Sequence, residues 1–394
     1  MCPPCGKTSS FPTSVPRRAG NSELSNTDVY RKQAGRKAGI TDPGCRLDMW
    51  PRTRLFFLAW MLALLISSRV ARSQRPRLGG AVNVFSRYGY LSISMRVVPR
   101  NDTETWIFRE PTLDVFKNTT PMPPKQRQQG KTSSAVFEGD FHMEFCDNIR
   151  QLLQAYFRDF TFERLERPWR AFTGSWSKVA IARHLGINSS FITGDHCYVL
   201  VRVARFHDNQ RLAGTAENLA LDDSVLRQTE NVTVGDTASV VRFIRNFGSH
   251  YIASYITGNS LYQVFVYTPQ VYSKIKERLK TRGVAELSNL ELSNYFSPWY
   301  AEHLGSIQSA SGNRSVEAWA VQHLRVKYYI FTYASLLKLH GDTTLLRQLD
   351  GLLGDEALLQ LQLRTLASAF KDPKRREWFL EVIDNYFKLW EVNM

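Results

Sequence analysis

Residues 236–248 constrain the fold more than any other short stretch, because they predict where a helix begins, which face it buries and where it ends. Asp236 or Thr237 can cap this helix by accepting backbone hydrogen bonds. Its apolar residues recur at the 3.6-residue spacing of a helix face: Val240, Val241, Ile244 and Phe247. Gly248 ends the pattern, since glycine tolerates the left-handed conformation that a helix end often requires.

The next element is a pair of predicted strands, Tyr251 to Thr257 and Leu261 to Tyr267. Gly258 and Asn259 lie between them, and a glycine within a strand pattern indicates a bulge or a sharp bend. The motif Phe247-Gly248-Ser249-His250-Tyr251, followed later by Gly258-Asn259, resembles the signature of the membrane-attack-complex/perforin (MACPF) family. That signature is an aromatic-Gly-Thr/Ser-His-aromatic core followed by a glycine pair. Asn259 replaces the second glycine here, which implies a stiffer hinge.

The resemblance implies an α+β fold, in which two helical clusters flank a bent, twisted antiparallel sheet. A MACPF domain is expected over residues 74–335, with clusters at 141–195 and 268–326, and a helical C-terminal extension over 336–394. In lytic relatives each cluster unfurls into a pair of membrane-spanning strands. A membrane-inserting pore former is therefore one functional class that the resemblance implies.

A secreted signalling factor is the other class. Residues 81–90 (AVNVFSRYGY) and the signature also resemble a secreted family member that acts in developmental signalling. That resemblance implies partners among the ligand and receptor components of an extracellular pathway, with the matrix or membrane of the egg surface as a further partner. Residues 270–282 argue against a pore: as a membrane-spanning strand they would direct Glu277 toward lipid, at a cost of a few kcal/mol near the midplane.

Periodicity predicts the remaining elements. Strands are expected at Tyr90 to Val98 and His196 to Phe206, where apolar residues alternate with others. Residues 118–134 read as loop, because they are rich in proline, glutamine and basic residues. Helices are expected at 141–156, 271–282 and 344–366 and after Pro373.

A secretory signal peptide is predicted at residues 49–73. Its apolar run, Leu55 to Ile66, follows Arg52 and Arg54 and precedes small residues. As a helix this run spans about 18 Å, short of the ~30 Å hydrocarbon core of a bilayer. We therefore expect Met49 to be the working start and the protein to be extracellular. Residues 1–48 are then a disordered leader or a gene-model extension, and a cytosolic tail before a signal anchor is the alternative.

The charge of the chain disfavours a nucleic-acid partner. Net charge is +15 for all 394 residues, and beyond residue 73 there are 39 basic and 32 acidic residues, a net charge of +7. The basic residues are scattered, and their densest group, Lys374-Arg375-Arg376, is typical of a solvated helix start. Such a surface can adhere to acidic glycans or membranes.

Two features fit an oxidising, glycosylating compartment. Beyond the signal peptide the chain has only Cys146 and Cys197, for which we expect a disulfide, with two buried free thiols as the alternative. Five Asn-x-Ser/Thr sequons are candidate glycosylation sites: Asn101, Asn118, Asn188, Asn231 and Asn313.

No catalytic, cofactor-binding or metal-binding residues are predicted. Ser249 and His250 are adjacent, and alternation along a strand would direct their side chains to opposite faces, where they could not share a proton. The chain lacks a Gly-x-Ser-x-Gly elbow, a His-Glu-x-x-His motif and a phosphate-binding glycine loop. His142, His196 and His250 could share a metal only through tertiary contact. The sequence therefore favours a non-enzymatic protein.

Overall fold

The computed structural model describes residues 76–88, 115–119, 121, 139–213, 219–282 and 288–392. Residues 1–48, the signal peptide at 49–73, the strand predicted at 90–98 and the sequon at Asn101 lie outside the described residues. Among the helices of the described ranges, none combines the length and the apolar character needed to cross a bilayer.

The described strands form one large sheet and one hairpin. They are β1 (Ala81–Val82), β2 (Gly139–Cys146), β3 (Phe160–Phe162), β4 (Cys197–Arg211), β5 (His250–Tyr267), β6 (His303–Leu304), β7 (Gln308–Ser309), β8 (Arg325–Tyr328), β9 (Phe331–Ala334) and β10 (Ala357–Thr365). In the sheet β2, β4, β5, β10 and β3 lie side by side in that order, and the short strands β1, β6 and β7 pair with β5. All of these pairs are antiparallel except β10 with β3. Strands β8 and β9 form the separate hairpin.

The described helices occupy both faces and one end of this sheet. They are α1 (Ile149–Tyr156), α2 (Pro168–Thr173), α3 (Lys178–Leu185), α4 (Asp223–Glu230), α5 (Thr237–Phe247), α6 (Pro269–Arg282), α7 (Asn289–Tyr295), α8 (Arg314–His323), α9 (Thr343–Leu352) and α10 (Pro373–Val392). Short 3-10 turns lie at Val84–Arg87, Ser189–Ile192, Leu336–Leu339 and Leu366–Ala369. The helices predicted at 237–247, 271–282 and after Pro373 are confirmed.

Three apolar cores stabilise the described fold. Alternate residues of β4 face opposite ways, so that Tyr198 and Leu200 pack against α1 and α3 in one core. Val199 and Val201 pack in a second core against α6, α7 and α8. A third core joins β1, β3 and β10 to α5 and α10. The predicted α+β class is confirmed: helices flank an antiparallel-rich sheet, and a helix ends the described chain.

The central strand β5 is continuous, so the predicted break at Gly258-Asn259 is wrong. One extra residue lies in β5 itself, at Ala253, opposite the step from Gln362 to Leu363 of β10. Two further register shifts lie in the neighbouring strands, between Phe206 and Asp208 on β4 and between Leu358 and Gln360 on β10. These two shifts lie opposite residues 256–258 of β5. An extra residue in β4 and another in β10, the two strands that flank β5, bend the sheet at this level while β5 remains one continuous strand.

Two helix predictions are wrong because strand pairing with distant residues decides the local structure. Residues 139–146 form β2, in register with β4 from Arg205 to Tyr198, and the helix begins only after Asn148, which caps it. Residues 357–365 form β10 between β5 and β3, so the expected helix over 358–366 is a strand. In both stretches apolar residues alternate, as a strand face requires.

Residues 336–394 are therefore not a helical extension alone. They contribute β10 to the middle of the sheet, and α10 buries Phe379, Val382, Ile383 and Phe387 in the third core.

The predicted disulfide is absent, because Cys146 and Cys197 are both free and buried. Cys146 is the cross-strand partner of Tyr198, and paired residues project to the same face of a sheet. Cys197 precedes Tyr198 and so projects to the other face. The two thiols accordingly belong to different cores.

Candidate functional site

The signature begins where α5 ends. The Asp236 side chain caps α5 by accepting a hydrogen bond from the Ala238 amide, as expected, and Phe247 is buried against Phe243. Gly248 follows with φ +84°, and a Cβ added there would lie 2.7 Å from the Val82 carbonyl oxygen. Both the backbone angle and this close approach require glycine.

Ser249 joins three parts of the chain. Its backbone NH donates to the Val82 carbonyl oxygen at 3.0 Å, and its Oγ accepts from the Val84 amide at 3.2 Å. Its own carbonyl oxygen accepts from the Leu366 amide at 3.0 Å. Ser249 thus fixes the N-terminal strand β1 and the end of β10 to the start of β5.

Ser249 and His250 do share a hydrogen bond, so the expectation that their side chains diverge is wrong. The Ser249 Oγ lies 2.8 Å from His250 Nδ1. Strand alternation does not govern this pair, because β5 begins at His250 and Ser249 still belongs to the bend that Gly248 creates.

The His250 imidazole is neutral and has a defined tautomer. Its Nε2 lies 3.1 Å from the Glu163 carbonyl oxygen, which can only accept, so Nε2 carries the proton and Nδ1 accepts from the Ser249 hydroxyl. Desolvation by complete burial lowers the pKa of His250 to about 4. Both side chains have no exposed surface, and an imidazole that no reactant can reach orients the backbone around it.

The last residue of the signature motif, Tyr251, packs its ring edge-on against Phe116 at 5.1 Å. It also lines an open cavity of about 600 Å³ together with Glu163, Arg364 and Arg376. Ser249 and His250 do not contribute to the lining of this cavity.

Gly258 is required for a close approach between strands and not for an unusual backbone angle. An added Cβ would overlap the Arg205 carbonyl oxygen of β4 and would lie 3.2 Å from the side chain of Leu359. Its own carbonyl oxygen accepts from the Glu356 amide at 3.1 Å. The sheet therefore has no room for a side chain at this position.

Asn259 attaches residues 309–311 to the central strand β5. Its Nδ2 donates to Ser311 Oγ at 2.9 Å, and its Oδ1 accepts from the Ser311 amide at 3.2 Å and from Ser309 Oγ at 3.3 Å. The carboxamide has no exposed surface. The residue that replaces the second glycine thus makes specific buried hydrogen bonds.

Gln263, two pleat repeats further along β5, fixes other loop residues in the same way, and the sequence alone does not predict this role. Its Nε2 donates to the carbonyl oxygens of Gly305 at 2.9 Å and Ala334 at 3.0 Å, and its Oε1 accepts from the Leu336 amide at 2.8 Å. Asn259 and Gln263 are four residues apart and so project to the same face of β5. A lone amide within the apolar run LYQVFVY is the signal that could have identified it.

Three contacts connect the first helical cluster, together with His196 directly after it, to the second cluster. Lys276 Nζ donates to Asp147 Oδ1 at 2.7 Å, and this hydrogen bond lowers the pKa of Asp147. His196 Nδ1 lies 2.9 Å from Glu302 Oε2.

The third contact joins Gly186, the residue that follows α3, to Ser306 of the second cluster. The Gly186 carbonyl oxygen accepts from the Ser306 amide at 2.8 Å, and Gly186 itself has φ +68°. All three contacts would have to break if the second cluster left the sheet.

The histidines considered as metal ligands lie in separate surroundings. His142 contacts Arg158, His196 contacts Glu302 and His250 is enclosed beside Ser249. In the parts of the chain that the structure describes, no group of three or more His, Cys, Asp or Glu residues could hold a metal ion.

The described sequons differ in accessibility. Asn118, Asn188 and Asn231 are exposed. Asn313 is half-buried, caps α8 through its Oδ1, and donates from Nδ2 to the Glu356 carboxylate at 3.2 and 3.4 Å. Its amide nitrogen is the atom that a glycan would use.

No protein-family model matches this sequence, and no characterised protein is similar to it in sequence at a significant level. Solved structures overlap with it at low identity. GNIP1Aa from Chromobacterium piscinae superposes with a TM-score of 0.42 and 12% identity, over 79% of this chain and 57% of that one. A cell-invasion protein with a MAC/perforin domain from Bacteroides thetaiotaomicron gives 0.34 and 9%, over 80% and 63%.

Astrotactin-2, a vertebrate-specific, perforin-like membrane protein involved in neuronal development, gives a TM-score of 0.30 and 12% identity, over 78% of this chain and 95% of that one. This chain thus spans less than two-thirds of the length of the first two structures.

Proposed function

We propose that this chain is a secreted, non-enzymatic signalling factor with a MACPF fold. The observation that carries the proposal is that the signature residues are buried and hydrogen-bonded within the fold. Ser249, His250 and Asn259 are fully buried, and their polar atoms bond to the strands and loops around them. Groups committed in this way hold a scaffold together and are not free to react with a substrate.

The proposal extends to a specific role. Residues 81–90 and the signature resemble Torso-like, a secreted MACPF protein of embryonic terminal patterning. By that resemblance the protein is laid down at the egg surface and acts in the perivitelline space. There it promotes local activation of the receptor tyrosine kinase Torso at the embryo poles, through the secretion or processing of the ligand Trunk.

A membrane-inserting MACPF effector is the second candidate, and the contacts of the helical clusters disfavour it. Helix α6 buries Tyr272, Ile275 and Leu279 in the second core, and its Lys276 bonds to Asp147 of the first cluster. Exposed ion pairs such as this one contribute at most ~1 kcal/mol each. The buried apolar residues and the amides of Asn259 and Gln263 contribute more, so release of the cluster is opposed mainly by the core.

Two measurements on the purified glycosylated protein separate the candidates. For a signalling factor we expect no release of a dye trapped in liposomes, and increased phosphorylation of Torso when the protein is added to cells that express Torso and Trunk. Light scattering on the purified protein, before it is added to liposomes or cells, gives its oligomeric state. Dye release without any change in receptor phosphorylation would support the pore former and contradict the proposed role.

A further inference from the structure

The β8–β9 hairpin presents an apolar tip to solvent. Tyr329 is 89% exposed and Ile330 is 90% exposed, and the neighbouring Phe331 is 39% exposed. Tyr329 has φ +51°, the left-handed conformation of a tight turn. Three consecutive large apolar residues at the tip of a hairpin form an exposed apolar patch, and such patches can mark interaction sites.

The surroundings of the tip are basic. Arg325 and Lys327 lie on β8, and with Lys338 and His340 they line an open cavity of about 530 Å³. No Asp or Glu occurs between residues 318 and 341. Asp342 also lines this cavity, but its Oδ1 caps α9 by accepting from two backbone amides.

The charges of this cavity are available to a ligand. Arg325 Nε donates to the Val321 carbonyl oxygen at 3.3 Å, and Lys338 Nζ donates to the His323 carbonyl oxygen at 2.9 Å. Both acceptors are neutral, so these bonds hold the side chains in place without cancelling their charge.

The base of the hairpin is firmly attached to the fold. The Tyr333 hydroxyl donates to the Ser293 carbonyl oxygen at 3.2 Å, and the Ala334 carbonyl oxygen accepts from buried Gln263. The Ser335 amide donates to the Leu324 carbonyl oxygen at 2.9 Å. A rigid base presents the apolar tip and the basic cavity in one fixed arrangement.

We propose that this hairpin docks the protein on the surface of an anionic phospholipid bilayer. Tyr329, Ile330 and Phe331 enter the boundary between headgroups and acyl chains, while Arg325, Lys327 and Lys338 bind lipid phosphates. An apolar protrusion bordered by charges of one sign fits the bilayer interface, where apolar insertion and attraction to anionic lipids add together.

This docking goes beyond the proposed signalling role and does not depend on it, since it needs neither ligand nor receptor. It also requires no helix of either cluster to leave the sheet, because the tip residues 329–331 lie beyond the second cluster, of which the hairpin shares only Arg325 and Val326.

Vesicle co-sedimentation of the full chain tests the proposal. The vesicles are phosphatidylcholine alone, or phosphatidylcholine with about one-third phosphatidylserine. We expect binding to the anionic vesicles only, and weaker binding as salt is raised. The double variant Lys327→Glu/Ile330→Asp should partition at least about tenfold less onto the anionic vesicles.

A matched control is Lys178→Glu/Val179→Asp at the start of α3, where the lysine is exposed and the valine is 58% exposed. It changes net charge by the same amount and should bind like the unmodified protein. The proposal is overturned if the unmodified protein binds both vesicles equally or neither, or if the two double variants bind alike. Retention on heparin without vesicle binding would also overturn it, in favour of a sulfated glycan.

Discussion

Cys146 and Cys197 lie one register position apart on neighbouring strands, and their thiols face opposite sides of the sheet. A disulfide between them would require β2 to shift by one residue, and this shift would move every side chain of that strand to the opposite face of the sheet. The thiols are thus kept apart by the register of the sheet, even in an oxidising compartment.

Both thiols should therefore be free and unreactive in the folded protein. Burial raises the pKa of Cys146 to about 12 and also raises the pKa of Cys197, so little thiolate is present at neutral pH. We expect iodoacetamide to label neither cysteine before unfolding and both after it, by mass spectrometry. A cross-linked peptide containing both residues in a non-reducing digest would show that this assignment is wrong.

Substitution of Gly258 should prevent normal folding even with alanine. The added Cβ overlaps the backbone oxygen of Arg205, which cannot move without separating β4 from β5. We expect Gly258→Ala to lower the free energy of unfolding by about 3 kcal/mol or more and to reduce secreted yield. Gly258→Val should be worse, because its branched side chain needs still more space.

Gly351 is the control for this experiment. It lies in α9 with no atom within 4 Å of an added Cβ, so Gly351→Ala should stabilise the protein by ~0.5–1 kcal/mol through its higher helix propensity. Normal secretion of Gly258→Ala alongside Gly351→Ala would contradict the close approach described for β4 and β5.

Replacing Asn259 with glycine should loosen the centre of the fold. Asn259→Gly creates a glycine pair at this position, but it leaves the Ser311 amide without its acceptor. It also removes one hydrogen bond from each of the buried Ser309 and Ser311 hydroxyl groups, which still bond to each other at 2.9 Å. We expect the free energy of unfolding to fall by about 2–4 kcal/mol, because each buried group left unsatisfied costs ~1–3 kcal/mol. Hydrogen exchange should increase at residues 309–311, and unchanged exchange there would argue against the role given to this amide.

His250 should make stability depend on pH. Its folded pKa of about 4 lies below the ~6.5 of an unfolded chain, so between these values the unfolded chain binds more protons. Stability is therefore full above pH ~6.5 and falls as the pH drops toward 4, by a total on the order of 3 kcal/mol. Urea unfolding between pH 7.5 and 4.5 should show a weaker pH dependence in His250→Gln. Equal slopes in the two proteins would mean that His250 is not the neutral, buried group described above.

The sequons should differ in occupancy. Asn188 and Asn231 are exposed and should be glycosylated in secreted protein, whereas Asn313 should be largely unmodified because its amide nitrogen bonds to Glu356. Peptide mapping before and after glycosidase treatment measures each site. A fully occupied Asn313 would require the contact with Glu356 to be broken.

The sequence predicts well where short-range patterns decide the structure. The cap at Asp236, the end of α5 at Gly248 and the C-terminal helix all follow from residues within one or two turns. For strand β10 the sequence predicts a helix, because leucine favours helices. Residues 357–365 form a strand because they pair with β5 and β3, and the alternation of their leucines fits that pairing.

The sequence predicts which residues form the candidate site, but it does not predict their hydrogen-bond partners. The signature identified Ser249 and His250, yet their hydrogen bond depends on a backbone angle at Gly248 that releases Ser249 from strand alternation. Gln263 was missed because its partners, Gly305, Ala334 and Leu336, are far along the chain. Likewise, the separation of the two cysteines follows from strand register, which local spacing does not encode.

The position of β10 beside β5 has a consequence for biosynthesis. When β5 leaves the ribosome, about a hundred more residues must be synthesised before β10 is complete. At ~5–20 residues per second this takes roughly 5–20 s. Throughout that interval residues 250–258 of the buried central strand lack β10 as their partner, and an unpaired apolar edge readily joins another chain. A premature stop anywhere before Ala357 would make that exposure permanent, so truncated products should aggregate or remain bound to chaperones.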